Sequence, residues 1–184
     1  MRVKRKIVDA WVEAAINSGY QKNHDYNGKS QEGVGYFQQT AFSGKRCSSA
    51  TAYLHPVRRR KNLSVFTKSK VKKLIFDKQR VTSVSISSKN KNFNISIGKE
   101  LILSAGTIAT PHLLMVSGVG PEDILRKKEI PIISVLSGVG KNLQDHLQAR
   151  PVFKCYPPTL NREIKNIFSL TKISFEYLFQ KRGP

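Results

Sequence analysis

Apolar positions recur along this chain with different periods, and each period predicts a different element. Ile7, Val8, Trp11, Val12, Ala15 and Ile16 fall on one face at helical spacing, so residues 7–18 read as an amphipathic helix that Gly19 ends. From Tyr20 to Gly44 the periodicity gives way to Gly, Asn, Gln, Ser and Tyr. Asn27-Gly28, Gly33-Val34-Gly35 and Ser43-Gly44 are turn signals there, so 20–44 is expected to be an irregular excursion. Ser48–Leu54 is helix-like, and Pro56 is expected to end or kink it.

Between Leu63 and Ser104 the pattern changes to short β-rich segments: Leu63–Thr67, Val71–Phe76, Val81–Ile86, Phe93–Ile97 and Leu101–Ser104. The middle three are joined by Asp77-Lys78-Gln79-Arg80 and by Ser88–Asn92, which predicts an antiparallel meander. Leu101–Ser104 is almost wholly apolar, as a strand covered on both faces of a parallel sheet would be. A helix is expected next, with Thr110 as N-cap and Pro111 at its first position. Gly120-Pro121 opens a short helix to about Lys128, and Ile130–Leu136 reads as another apolar strand. Beyond Arg150 come a strand-like Pro151–Phe153 and an apolar-periodic stretch through Ile164, Ile167, Phe168, Ile173, Phe175 and Leu178.

Ser104-Ala105-Gly106 is the candidate site that this reading yields, with tight packing at a sheet edge as the alternative. A buried strand that turns into a helix brings bare backbone to the carboxyl edge of a sheet, where nucleotides bind. A glycine there keeps a Cβ from holding the ligand or the neighbouring backbone away.

Composition narrows the classes. The 184 residues are 39% apolar, enough for one sizeable domain. The longest apolar run, near Leu113–Val116, is far shorter than the ~20 residues of a spanning helix. The basic start from Met1 lacks the apolar core of a signal peptide, and compartment is left open. Cys47 and Cys155 stand far apart with no Cys/His cluster, so neither a disulfide scaffold nor a metal site is expected. The net charge of +20 is a footprint of nucleic-acid binding or of attraction to acidic membranes. Its lysines are dispersed, however, with only Arg58-Arg59-Arg60-Lys61 forming a dense run, and no basic sheet with interleaved aromatics or recognition helix is evident. No specific nucleic acid is expected as partner.

Gly106-Thr-Ile-Ala-Thr-Pro-His-Leu-Leu-Met-Val-Ser-Gly-Val-Gly120 resembles, position by position, the second signature of the glucose-methanol-choline (GMC) oxidoreductases. Asp25–Gly28 with Gln31–Gln38 is similar to that family's segment near the substrate and flavin cavity. Gly44–Leu54 resembles the helix after it, and Gly138–His146 resembles the block closing the N-terminal homology region. The similarity covers roughly Gly19 to His146 and looks closest to the insect-type members.

The resemblance implies an α/β fold: part of a glutathione-reductase-like FAD-binding domain with a β-meander over 1–147, and the start of a substrate-binding domain over 148–184. It implies FAD as cofactor and a small-molecule alcohol as substrate of the full-length protein. A base would take the hydroxyl proton while hydride passes to flavin. In the family the residue matching Val71 bonds adenine through its backbone N–H and C=O, and the residues matching Ser104, Ala105 and Gly106 lie along the ADP half. Two departures accompany these matches. No Gly-x-Gly-x-x-Gly follows a first strand to hold the pyrophosphate. None of His24, His55, His112 and His146 falls in a segment matching the family's catalytic histidines, so no catalytic residue is assigned; His146 is expected to position loop backbone through Asp145. The chain is therefore expected to be a truncated fragment, inactive alone. A non-catalytic interaction protein derived from the family is the alternative, and a basic nucleic-acid-binding module a more remote one.

Overall fold

A computed structural model describes residues 5–89, 91–156 and 159–180. The basic start up to Lys4, Asn90 of the Ser88–Asn92 turn, and the last four residues lie outside the described residues. By backbone proximity the chain forms two compact units, Val65–Ala149 and Met1–Ser64 with Arg150–Pro184.

The unit of Met1–Ser64 and Arg150–Pro184 opens with α1, Lys6–Asn17, whose Val12 is buried. The excursion over 20–44 is largely irregular, as its composition predicts, yet it is ordered by pairing. Val34 N–H donates to Gln21 O and Asn23 N–H to Val34 O, both at 2.8 Å. Gly33 and Gly35 are needed for that approach: a Cβ would meet Gln21 O at 2.5 Å and Asn23 O at 2.1 Å. The Asn23 side-chain amide closes the loop, donating to Ser30 O at 2.8 Å and Glu32 O at 2.9 Å. A two-residue hairpin, β1 (Ala41–Phe42) with β2 (Lys45–Arg46), follows at Ser43-Gly44. Wide helical turns at Ala50–Leu54 run straight into α2, His55–Val57. Pro56 lies inside that continuous run, which is widened just before it and ends at Val57, one residue beyond, as expected of a residue without an N–H to bond back one turn. Beyond Arg150 this unit holds α5 (Leu160–Glu163) and α6 (Ile167–Gln180). Arg5 pairs with Glu163 at 2.8 Å.

The unit Val65–Ala149 is built on the meander β3 (Ser69–Asp77), β4 (Arg80–Ser88) and β5 (Lys91–Ser96), antiparallel in that order. The two-residue connection at Lys78-Gln79 holds Lys78 at φ 54°. Period-two alternation buries Val84 and Ile86 on one face. With Leu74 they pack on Leu113 of α3, Gly106–Val116, and Leu101 and Leu103 join the same core. After α3 come β6 (Val119–Gly120), α4 (Glu122–Lys127) and β7 (Ser134–Val135), with β6 and β7 paired parallel.

Several expectations are corrected. Leu101–Ser104 is not a strand: Leu101 and Leu103 pack on the core and Ile102 is 76% exposed, an alternation like that of a strand, but no described strand pairs with it. An apolar pattern selects the extended backbone; only a neighbour makes a ladder. The helix does not begin at Thr110-Pro111 but at Gly106, so Pro111 lies inside it and leaves the Thr107 carbonyl without an intrahelical donor. Leu63–Thr67 and Pro151–Phe153 are irregular, and Ile130–Leu136 contributes only β7. Cys47 and Cys155 are half-buried. Among the described residues no helix is long and apolar enough to cross a membrane, and no His/Cys/Asp/Glu cluster suits a metal ion.

Candidate functional site

The four sequence-predicted residues lie in one unit, on two elements that pack together. Ser104, Ala105 and Gly106 form the exposed turn that starts α3. Gly106 has φ +89°, and a Cβ built there would meet nothing within 4 Å. The glycine is therefore required by backbone conformation, and the space in front of it is open.

Val71 lies on β3, an edge strand, and the ladder shows where its polar groups point. The Leu74 N–H leaves the sheet to reach Ser117 Oγ at 2.9 Å, so the Leu74–Val84 pair is not hydrogen-bonded. In an antiparallel ladder Val84, and Ile86 two residues on, then bond to β5 instead, a parity matched by Ile97 N–H donating to Thr82 O at 2.9 Å. A bulge between Val71 and Lys73 shifts the register, so that Val71 faces Ile86. Val71 thus belongs to a non-hydrogen-bonded pair, with its N–H and C=O directed to the free edge. Without the bulge the parity would put them into the ladder. Sequence alternation alone does not reveal this device.

Much of the 106–120 signature is structural. Ser117, 2% exposed, accepts from Leu74 N–H and donates to Leu113 O at 2.6 Å, tying the end of α3 to the outer edge of β3. Gly118, at φ +92°, passes so near Pro131 O that a Cβ would stand 2.4 Å from it. Val119 is buried, and a Cβ on Gly120 would meet Met115 Cγ at 2.8 Å. This C-terminal third fixes α3 on the meander, and the N-terminal end remains exposed. A lone polar residue directly after an apolar run is the signal that marks Ser117.

Beside that exposed end lies a cavity of about 690 Å³, between Thr107, Ile108, Pro111 and His112 of α3 and the loop 140–144. The loop Gly138–His146 has no regular structure. His146 was expected to position loop backbone through Asp145; instead Asp145 Oδ1 accepts from the His146 backbone N–H at 2.8 Å, a local contact in which the imidazole takes no part. In the other unit, Tyr36 donates its hydroxyl proton to Asp9, and that hydrogen bond raises the phenol to about 12.

An FAD molecule needs backbone donors and acceptors for adenine, close approach along the ribose, and an anion seat for pyrophosphate. The directed edge at Val71 and the open turn at Gly106 fit the first two requirements. Gly33-Val34-Gly35 does not supply the third, because its backbone is engaged with Gln21–Asn23.

The arrangement defines a mixed α/β framework in which α3 opens on an exposed glycine turn. The family model described as GMC oxidoreductase matches residues 1–148, and the chain belongs to that family. An oxygen-dependent choline dehydrogenase of Brucella anthropi is 38% identical over 174 residues, covering 95% of this chain and 32% of that protein. The mitochondrial choline dehydrogenase of Mus musculus is likewise 38% identical over 174 residues, with 95% and 29% covered. Among solved structures, an FAD-dependent oxidoreductase from Chaetomium thermophilum superposes with a TM-score of 0.86 at 26% identity, covering 99% of this chain and 32% of that one. The chain thus spans about a third of the length of the curated relatives it matches. Its mixed α/β fold matches the N-terminal FAD-binding region of the family.

Proposed function

We propose that this chain supplies the adenine-side seat of FAD in a GMC oxidoreductase that oxidises the CH–OH group of a small alcohol. The observation that carries the reading is that an outward-directed Val71 backbone and an open Ser104–Gly106 turn lie on elements that pack together. Both belong to one packed unit, held by Leu74, Leu113 and Ser117. Val71 would offer one donor and one acceptor to adenine, and Ser104, Ala105 and Gly106 would let the ADP half approach the backbone. Flavin, when bound, supplies the hydride acceptor. The described residues offer no matching base for the substrate proton and no glycine-rich pyrophosphate loop, so the chain by itself is a framework without turnover.

The substrate of the whole protein is proposed as an alcohol, with choline first in the panel because choline dehydrogenases are among its relatives. Assignment to the insect-type branch rests on the blocks at 25–38, 44–54 and 138–146, and turnover of choline by the whole protein in preference to other alcohols would argue against it. The proposed domain division, a cofactor framework over 1–147 and the start of a substrate domain over 148–184, rests on the same resemblance.

The test is a two-dimensional amide NMR titration of the 184-residue chain with millimolar ADP, followed by FAD. The expected result is weak binding, with shifts centred on Val71 and on 104–107. Shifts elsewhere with these amides unmoved would overturn the site. Tight stoichiometric FAD binding with alcohol-dependent flavin reduction would overturn the reading of the chain as a framework.

A further inference from the structure

Asn94-Ile95-Ser96 on β5 is an Asn-x-Ser triplet with no proline at its centre, the acceptor pattern for an N-linked glycan. The pattern works only if the amide and the hydroxyl two residues on are presented together. On a strand, residues two apart project from one face, so β5 sets Asn94 and Ser96 side by side and turns Ile95 the other way. Asn94 and Ser96 are exposed, whereas Ile95 packs against the core of Leu74, Val84, Ile86 and Leu113. The triplet therefore has two polar side chains in water and one apolar anchor.

The surface around it is built to stay in water. β4 and β5 pair Ser87 with Asn92, Ser85 with Asn94 and Ser83 with Ser96, so this face of the two strands carries only hydroxyls and amides. Val84 and Ile86, which alternate with those serines, are buried on the other face. A strand face without apolar side chains gains nothing from being covered by more polypeptide. β5 is also the outer strand of the meander among the described residues. Asn62-Leu63-Ser64 repeats the triplet, with Asn62 and Ser64 exposed, but it leads directly into Val65 and Phe66. Those apolar residues are 43% and 60% exposed and favour cover, so the two triplets are not equivalent.

We propose that Asn94 is an N-glycan acceptor, which takes its sugar from a lipid-linked donor in a secretory lumen. Asn94 Nδ2 attacks the anomeric carbon of an oligosaccharide carried on a lipid pyrophosphate. The new carbon–nitrogen bond replaces the carbon–oxygen bond to the pyrophosphate, which leaves with the electron pair, and the amide gives up one proton to a base of the transferase. Nothing is oxidised or reduced. The attached glycan stands over the Ser/Asn face and shields the outer edge of β5 from pairing with another chain.

The experiment is translation of the 184-residue chain behind a cleavable secretory leader, in the presence of microsomes, beside N94Q, S96A, S96T and N62Q. The parent is expected to gain a glycan that peptide N-glycosidase removes, leaving aspartate at position 94 by mass spectrometry. N94Q and S96A are expected to abolish modification of this triplet, S96A with the asparagine still in place, whereas S96T and N62Q are expected to keep it. Glycosylated and enzyme-treated chains are expected to give the same circular dichroism, since the sugar lies over a polar face. A parent without glycan at position 94 would overturn the proposal, as would a glycan there that S96A leaves in place. So would loss of the folded spectrum in the glycosylated form.

Discussion

The backbone N–H of Leu74 donates to the hydroxyl of Ser117 across 43 residues of chain, and that hydroxyl passes its own proton to Leu113 O in the same α3 helix. All three residues are buried. The relay uses an edge-strand donor that would otherwise face an apolar core, and it fixes where α3 stands relative to β3. Replacing Ser117 with Ala leaves the Leu74 N–H without a partner. A loss of about 1–3 kcal/mol is expected in urea unfolding, the cost of one orphaned buried group. An unchanged midpoint would mean that water or a shifted backbone replaces the hydroxyl.

Gly106 and Gly118 bracket the same helix at similar φ, +89° and +92°, but their surroundings differ. At Gly106 a methyl meets nothing within 4 Å, so Gly106→Ala costs only the left-handed conformation, about 1–2 kcal/mol. At Gly118 the methyl would also stand 2.4 Å from Pro131 O and 2.8 Å from Ile133 Cγ1. Gly118→Ala is expected to destabilise by clearly more in the same unfolding assay. Equal losses would show that the 131–133 segment gives way freely. In a longer polypeptide that binds flavin, Gly106→Val is expected to lower flavin absorbance per protein.

Tyr36 provides a pH signature in the other unit. Its phenol is raised to about 12 by the hydrogen bond to Asp9, against an ordinary 10.0. A folded value above the unfolded one means that this contribution to stability is complete below pH about 10 and is lost as pH rises toward 12. Tyrosinate absorbance should therefore show one phenol titrating later than the others. Asp9→Asn should return it toward 10; a titration curve that this substitution leaves unmoved would exclude the contact.

The meander was legible because its signals are local: Val84 and Ile86 alternate with serines, and Asp77–Arg80 is a turn in composition as well as in space. The α1 face was legible for the same reason. Misreadings arose where a neighbour decides. Leu101–Ser104 has the sequence of a strand, but pairing is a property of two segments. Pro111 resembles a first-turn residue, yet the conformation of Gly106 lets the chain enter the helix five residues earlier. Of the candidate site, the turn was readable from small residues, but the outward direction of Val71 depends on a bulge that no side chain announces.

Ile102 gives the last prediction, because it combines an exposed apolar side chain with a backbone segment that has no strand partner among the described residues. It is 76% exposed, and Ile108 nearby on α3 is 69% exposed, whereas Leu101 and Leu103 on either side of Ile102 turn to the core. Alternation therefore places the contact-prone residue and the unpaired main-chain groups on one accessible segment, the arrangement that recruits another strand. Ile102→Lys puts a charge where edge strands are commonly protected and removes no core contact. Light scattering against concentration should show a higher onset of association for Ile102→Lys than for the parent, at the same melting temperature. Leu103→Lys serves as the opposite control: it buries the charge and is expected to lower the melting temperature. Association that Ile102→Lys leaves unchanged would move the adhesive surface elsewhere.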